Sequence, residues 1–183
     1  MQHDILRVSL CVALLFSGGA FAAEYWYEDF DRMPEGDISG QPGWTALWGN
    51  SCTVSSDNSC SPDRSLEVAG GSGWHIAGYE GLSWSNAAGQ SPIVRIAFNL
   101  YREESDGEWR MYLREGSTTH LRIETDETDG TLVVKNVDTG VEFVTGEYVP
   151  MAIYYNTEEN QERVNYDDAT ILEWSDVGTT AFS

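Results

Sequence analysis

Residues 93–101 read IVRIAFNLY, and the apolar side chains take every second place: Val94, Ile96, Phe98 and Leu100 alternate with Arg95, Ala97, Asn99 and Tyr101. A period of two belongs to a strand with one buried and one solvated face. The rhythm returns over residues 108–114, where Trp109, Met111 and Leu113 oppose Arg110, Tyr112 and Arg114. It returns again over residues 120–125, where Leu121 and Ile123 oppose Arg122 and Glu124. Further strands are expected at residues 25–30, 44–48, 65–68, 75–79, 131–135, 141–145, 149–155, 163–166 and 170–174. Short polar links separate several of them and favour hairpins: Ser105-Asp106-Gly107, Glu115-Gly116-Ser117, Asp129-Gly130 and Asp138-Thr139-Gly140. Residues 70–73 and 83–92 are expected to be longer surface loops, and no repeat or interdomain linker interrupts the pattern. About a dozen short strands with hairpin turns and no crossover helix imply an all-β protein, two antiparallel sheets packed as a β-sandwich.

The first residues follow a different pattern. A short start with one basic side chain, Arg7, leads into the apolar run VSLCVALLF at residues 8–16, and Ala20-Phe21-Ala22 places small residues where a signal peptidase reads them. The run is about half the length that a membrane-spanning helix needs. Residues 1–22 are therefore expected to be a leader cleaved after Ala22, with one domain over residues 23–183 in a secreted, periplasmic or cell-surface protein and no membrane insertion after cleavage. Cys11 lacks the small residues that precede a lipidated cysteine. Export to an oxidising compartment makes Cys52 and Cys60, the pair left after cleavage, an expected disulfide.

Acidic residues outnumber basic ones 30 to 10, for a net charge of −20, and cleavage removes one of each sign (Asp4 and Arg7). Such a chain repels nucleic acid and anionic lipid. A solvating surface explains most of this acidity. Asp29 with Asp31, or Asp167 with Asp168, offer oxygen ligands for calcium, but neither pair lies in a loop of ligand spacing. No other cofactor is implied.

Residues 28–44 read EDFDRMPEGDISGQPGW, an acidic-Phe strand, a Pro/Gly turn and Gly-Gln-x-Gly-Trp. This resembles the opening of secreted bacterial domains of the concanavalin A-like lectin/glucanase superfamily, close to laminin G jelly rolls. Residues 61–68 (SPDRSLEV) and the paired strands of residues 149–174 are similar to later parts of those domains, so the resemblance spans nearly all of the mature chain. It implies a jelly roll and a carbohydrate-binding face. Domains of that kind finish with a strand that returns beside the N-terminal one. Here the chain stops at residues 177–183, so either this tail supplies the strand poorly or the sequence is a fragment lacking it.

Candidate chemistry concentrates on the polar side of the central strands. Arg95, Arg110, Arg114 and Arg122 are expected outward on neighbouring strands beside Asn99, Tyr101 and Tyr112. The planar fork of Arg suits carboxylate or sulfate, and Tyr offers an apolar face to a sugar ring. A floor of Arg95, Asn99, Tyr101, Arg110, Tyr112 and Arg114 on the concave sheet would draw a polysaccharide, an acidic one in particular. The plainer alternative pairs these arginines across strands with Glu108, Glu115 or Glu124. Glu124 and Asp126 begin the alternating carboxylates of a glycoside hydrolase, but no third follows before Asp129-Gly130, which favours a charged hairpin tip. Arg110, Tyr112 and His120 could serve a polysaccharide lyase, although their spacing does not require it. Of the seven tryptophans, Trp26, Trp44, Trp48, Trp74, Trp84, Trp109 and Trp174, the loop residues Trp74 and Trp84 suit sugar stacking best, and the rest fit a core. A glycan-binding protein is the expectation; an enzyme of the same fold, or an adhesive domain with a flat neutral face, are its rivals.

Overall fold

The computed structural model describes residues 5–9, 30–47, 52–57, 59, 63–69, 76–79, 93–103, 109–115, 117–126, 128–156 and 158–176. Among them there is no helix. The strands are β1 Ile5–Ser9, β2 Gly36–Asp37, β3 Trp44–Leu47, β4 Cys52–Ser55, β5 Ser65–Ala69, β6 Ile76–Tyr79, β7 Ile93–Arg102, β8 Arg110–Glu115, β9 Thr118–Thr125, β10 Thr131–Val134, β11 Val137–Glu142, β12 Tyr148–Asn156, β13 Gln161–Tyr166 and β14 Ala169–Asp176. The all-β expectation holds. Within the expected strand at residues 25–30 only Phe30 is described, and it is a buried bend rather than part of a strand.

Eight strands form one sheet in the order β14-β13-β12-β7-β1-β5-β4-β2, four form a second in the order β11-β10-β9-β8, and β3 pairs with β6. Every pairing is antiparallel. The register aligns Val54, Leu66, Leu100 and Val149 in one row across the large sheet, through the backbone of β1. Residues directly opposite in an antiparallel pair share a face, so this row marks one side of the whole sheet. Two apolar clusters lie on that side. Val94, Ile96, Phe98 and Leu100 of β7, with Met151, Ile153 and Val164, pack against Leu121, Ile123, Leu132 and Val134 of the four-stranded sheet. Val54 and Leu66 pack with Phe30, Ile38 and Trp44, and Ala46 and Ala77 bring the β3–β6 pair onto this second cluster. Burial of each such side chain contributes about 1.5–3 kcal/mol, and the alternation along β7 is the direct consequence.

β1 falls inside the segment expected to be a cleaved leader. It fills the place between β5 and β7. The disulfide expected at Cys52 is absent: Cys52 is a free, buried thiol on the inner side of β4. Burial, with a smaller effect from the Asp37 carboxylate, pushes that thiol up to about 11, so it stays protonated and packs as a small apolar group. Cys60 lies outside the described residues.

The turn between β10 and β11 also departs from the expectation. Asp138-Thr139-Gly140 lies within β11, at the level of a register shift in its ladder with β10, and the Thr139 hydroxyl donates to the Leu132 carbonyl at 2.6 Å. The chain reverses instead at Lys135-Asn136, both with positive φ (53° and 63°). Asp167 and Asp168 do the same between β13 and β14, with φ of 48° and 61°. Two residues with positive φ make the hairpin turn whose twist matches the strands it joins, a conformation that Asp and Asn tolerate well.

Lys135 pins the two sheets together at this end. Its Nζ lies 2.9 Å from Glu162 Oε1 on the inner side of β13 and also donates to the Asp176 carbonyl. Glu162 is only 2% exposed. Burial raises its carboxyl above the ordinary glutamate value of 4.5, while the Lys135 hydrogen bond and charge, and then His120, pull the other way. A raised folded-state value means that the stability Glu162 contributes is full below pH 4.5 and is lost as pH rises through the folded value. Urea unfolding of wild type and Glu162→Gln at pH 7 and at pH 4.5 should therefore show the difference, wild type minus variant, growing in favour of wild type toward acid. A constant or shrinking difference would mean that Glu162 is not held in an unfavourable charged state.

Candidate functional site

The outer positions of β7 meet those of β12 and β13 in ordered rows. Arg95 stands opposite Tyr154, which stands opposite Arg163; Ala97 lies opposite Ala152, and that opposite Asn165; Asn99 faces Pro150, and Tyr101 faces Tyr148. In the first row the guanidinium carbons of Arg95 and Arg163 lie 5.9 Å and 5.4 Å from the centroid of the Tyr154 ring. Arg163 is further set by its Nε, which donates to Asn165 Oδ1 at 3.0 Å, and Asn165 Oδ1 in turn accepts from the Thr170 hydroxyl at 3.2 Å. In the last row the rings of Tyr101 and Tyr148 are 5.1 Å apart. Between them the small side chains of Ala97 and Ala152 sink the surface.

The result is a hollow of about 240 Å³ lined by Arg95, Ala97, Asn99, Ala152, Tyr154 and Asn165, with Asp168 at its rim. From Arg95 to Tyr101 the face runs about 20 Å at the rise of a strand. One end presents cations and the other presents aromatic surface. Among the described residues neither Arg95 nor Arg163 is paired with a carboxylate. In a chain of net charge −20, that leaves two guanidinium forks open to an anion from outside.

The chain matches no family model, and no curated protein or solved structure matches it. Its chemistry must be read from this geometry.

The six residues expected to share one floor are divided between two surfaces. Arg95, Asn99 and Tyr101 lie on β7 of the eight-stranded sheet. Arg110, Tyr112 and Arg114 lie on β8, the last strand of the four-stranded sheet. Phe98 on β7 and Met111 and Leu113 on β8 meet in the same core, so the outer sides of the two strands look away from each other. Strands adjacent in sequence usually pair, but β7 has β12 and β1 as its neighbours. Arg102, next along β7, turns inward and lies over the Phe143 ring at 5.5 Å.

On β8 the cross-strand alternative holds. Arg110 Nε sits 3.0 Å from Glu124 Oε2, and Arg122 pairs with the same oxygen. Glu124 is thereby committed to two arginines, and Asp126 Oδ1 accepts the Thr128 amide at 2.7 Å. These carboxylates shape a hairpin, as the sequence favours. The grouping of Arg110, Tyr112 and His120 does not form, because the ladder shifts register between Leu113 and Arg114, leaving His120 without an opposite residue on β8 and buried. Among the described residues no three His, Cys, Asp or Glu side chains gather as a metal site. Asp31 Oδ1 accepts the Arg64 amide at 2.9 Å, and Asp167 and Asp168 close a hairpin. Trp44 and Trp109 are buried and Trp174 is exposed, whereas Trp26, Trp48, Trp74 and Trp84 lie outside the described residues.

Proposed function

We propose that this is an exported domain that binds an acidic polysaccharide on the outer face of β7, β12 and β13. The observation that carries the reading is the row Arg95–Tyr154–Arg163, two guanidiniums held against one ring and, among the described residues, with no carboxylate partner. A fork held in place loses less side-chain freedom on meeting a carboxylate or sulfate, and such charge-assisted bonds are among the strong ones. Tyr101 and Tyr148 supply ring faces for sugars further along the strand. Among the described residues, Asp168 is the one carboxylate that lines the hollow, whereas glycoside hydrolysis needs two. Binding without catalysis is therefore the reading the face supports best.

The motifs at residues 28–44 and 61–68 support a laminin G-like jelly roll, and residues 1–22 support export with cleavage after Ala22. On this reading the 183-residue chain is a precursor, and processing removes β1.

A glycan array tests the ligand class. Wild type should be retained on carboxylated or sulfated glycans, with retention falling as salt is added. Arg163→Ala should weaken it about 10- to 100-fold, since a hydrogen bond to a charged group is worth about 1.5–3 kcal/mol. An array on which wild type binds nothing acidic, or on which the variant binds equally well, rejects the reading.

A further inference from the structure

We propose that the hollow on the β7–β12–β13 face takes a polyuronate, with one carboxylate and free hydroxyls on each ring, in preference to a polymer that carries sulfates as well, and that Asp168 makes this choice. The inference rests on the glycan-binding reading of the face and names its substrate class. The two ends of the hollow differ in charge. Arg95 and Tyr154 stand in the first row, Ala97, Ala152 and Asn165 in the second, and Asn99 and Pro150 in the third. The Asp167 amide donates to the Pro150 carbonyl at 3.0 Å, which brings the β13–β14 turn, and Asp168 with it, to the third row. Four residues of strand from Arg95 to Asn99 rise about 13 Å, so Arg95 and Asp168 line the hollow at opposite ends. Among the described residues neither is in an ion pair.

At about 240 Å³ the hollow is smaller than the roughly 300–1,000 Å³ that holds a drug-sized ligand, so it houses one ring of a polymer rather than several. A carboxylate on that ring meets the Arg95 guanidinium in a charge-assisted pair. In the middle row Asn165 Oδ1 already accepts from Arg163 Nε and the Thr170 hydroxyl, which leaves its Nδ2 to donate. An ionised carboxylate only accepts hydrogen bonds, so ring hydroxyls are the partners that suit Asp168. Sulfation replaces such a donor with an anion. A ring whose first charge lies on Arg95 then sets its second against Asp168, and like charges repel. Without Asp168 the order would reverse, because a more highly charged polymer is drawn more strongly to the guanidiniums.

Isothermal titration of the full chain at fixed ionic strength compares an oligogalacturonate hexamer with the same hexamer sulfated at its ring hydroxyls. Wild type should bind the plain hexamer about tenfold more tightly, although the sulfated one carries more charge. Asp168→Asn places a residue that tolerates the positive φ of 61°, so the thermal midpoint should hold while the preference disappears or reverses. Asp167→Asn removes the same charge one position away and should leave the preference as in wild type. Equal binding of the two hexamers by wild type, tighter binding of the sulfated one, a preference that survives Asp168→Asn, or one lost equally in Asp167→Asn, each overturns the role of Asp168 while leaving the acidic-polysaccharide reading intact. Absence of binding to either hexamer removes both together.

Discussion

A chain that begins at Ala23 is expected to unfold far more easily than the full 183-residue chain. β1 pairs at four positions with β5 and at four with β7. At about 0.5–1 kcal/mol net for each backbone hydrogen bond, and about one bond per paired position, its pairing is worth on the order of 4–8 kcal/mol. That is comparable to the whole stability of an ordinary domain, about 5–15 kcal/mol. Loss of β1 also opens two edges in the middle of the sheet, and an unpaired edge invites association. Urea unfolding of both chains should show a lower midpoint for the shorter one, with light scattering from its aggregates. Equal midpoints would mean that β5 and β7 acquire another neighbour once residues 1–22 are gone. The pairing bears on export as well: a leader held inside a folded sheet cannot enter an export channel, so export on the proposed route precedes closure of the sheet.

Phe98→Ala should cost about 3–5 kcal/mol, the usual penalty for deleting a buried aromatic ring. Phe98 lies on the inner side of β7, among Ile96, Leu100, Met151 and Ile153 in the core between the sheets. For a chain of this size the change corresponds to a fall of about 6–20 °C in Tm. The adjacent Ala97→Ser, on the outer side, should change stability by less than about 0.5 kcal/mol. Differential scanning calorimetry of the two variants makes the comparison, and a Phe98→Ala midpoint close to that of Ala97→Ser would show that the core lies elsewhere.

What could be read from the residues was whatever a local pattern enforces. The alternation along β7 marks its buried side because slipping by one residue would expose Val94, Ile96, Phe98 and Leu100 together. The pattern is silent about β1, since residues 5–9 read as the start of a leader and overlap the apolar run of residues 8–16 by only two positions. It is silent about β4, where Cys52 resembles half of a disulfide and proves to be a core side chain. At β11 the Asp138-Thr139-Gly140 signal outweighed the less conspicuous Lys135-Asn136, although the chain reverses at the latter.

The candidate site divides along the same line. Arg95, Asn99 and Tyr101 could be assigned to an outer face from spacing alone. Tyr154, Arg163, Asn165 and Tyr148 reach that face only because β12 lies beside β7 and β13 beside β12. The pairing of β7 with β12 joins residues some fifty positions apart, and no local rule encodes it. The opposite assumption, that β7 and β8 are neighbours, placed Arg110, Tyr112 and Arg114 on the wrong sheet.

A crystal structure of the full chain with a bound acidic oligosaccharide tests the central claim most directly. The expected result is a carboxylate or sulfate within hydrogen-bond reach of the Arg95 or Arg163 guanidinium, with the sugar chain running along β7 toward Tyr101 and Tyr148. Oligosaccharide bound only away from β7, β12 and β13, with the hollow between Arg95 and Asn165 left to solvent, would contradict it.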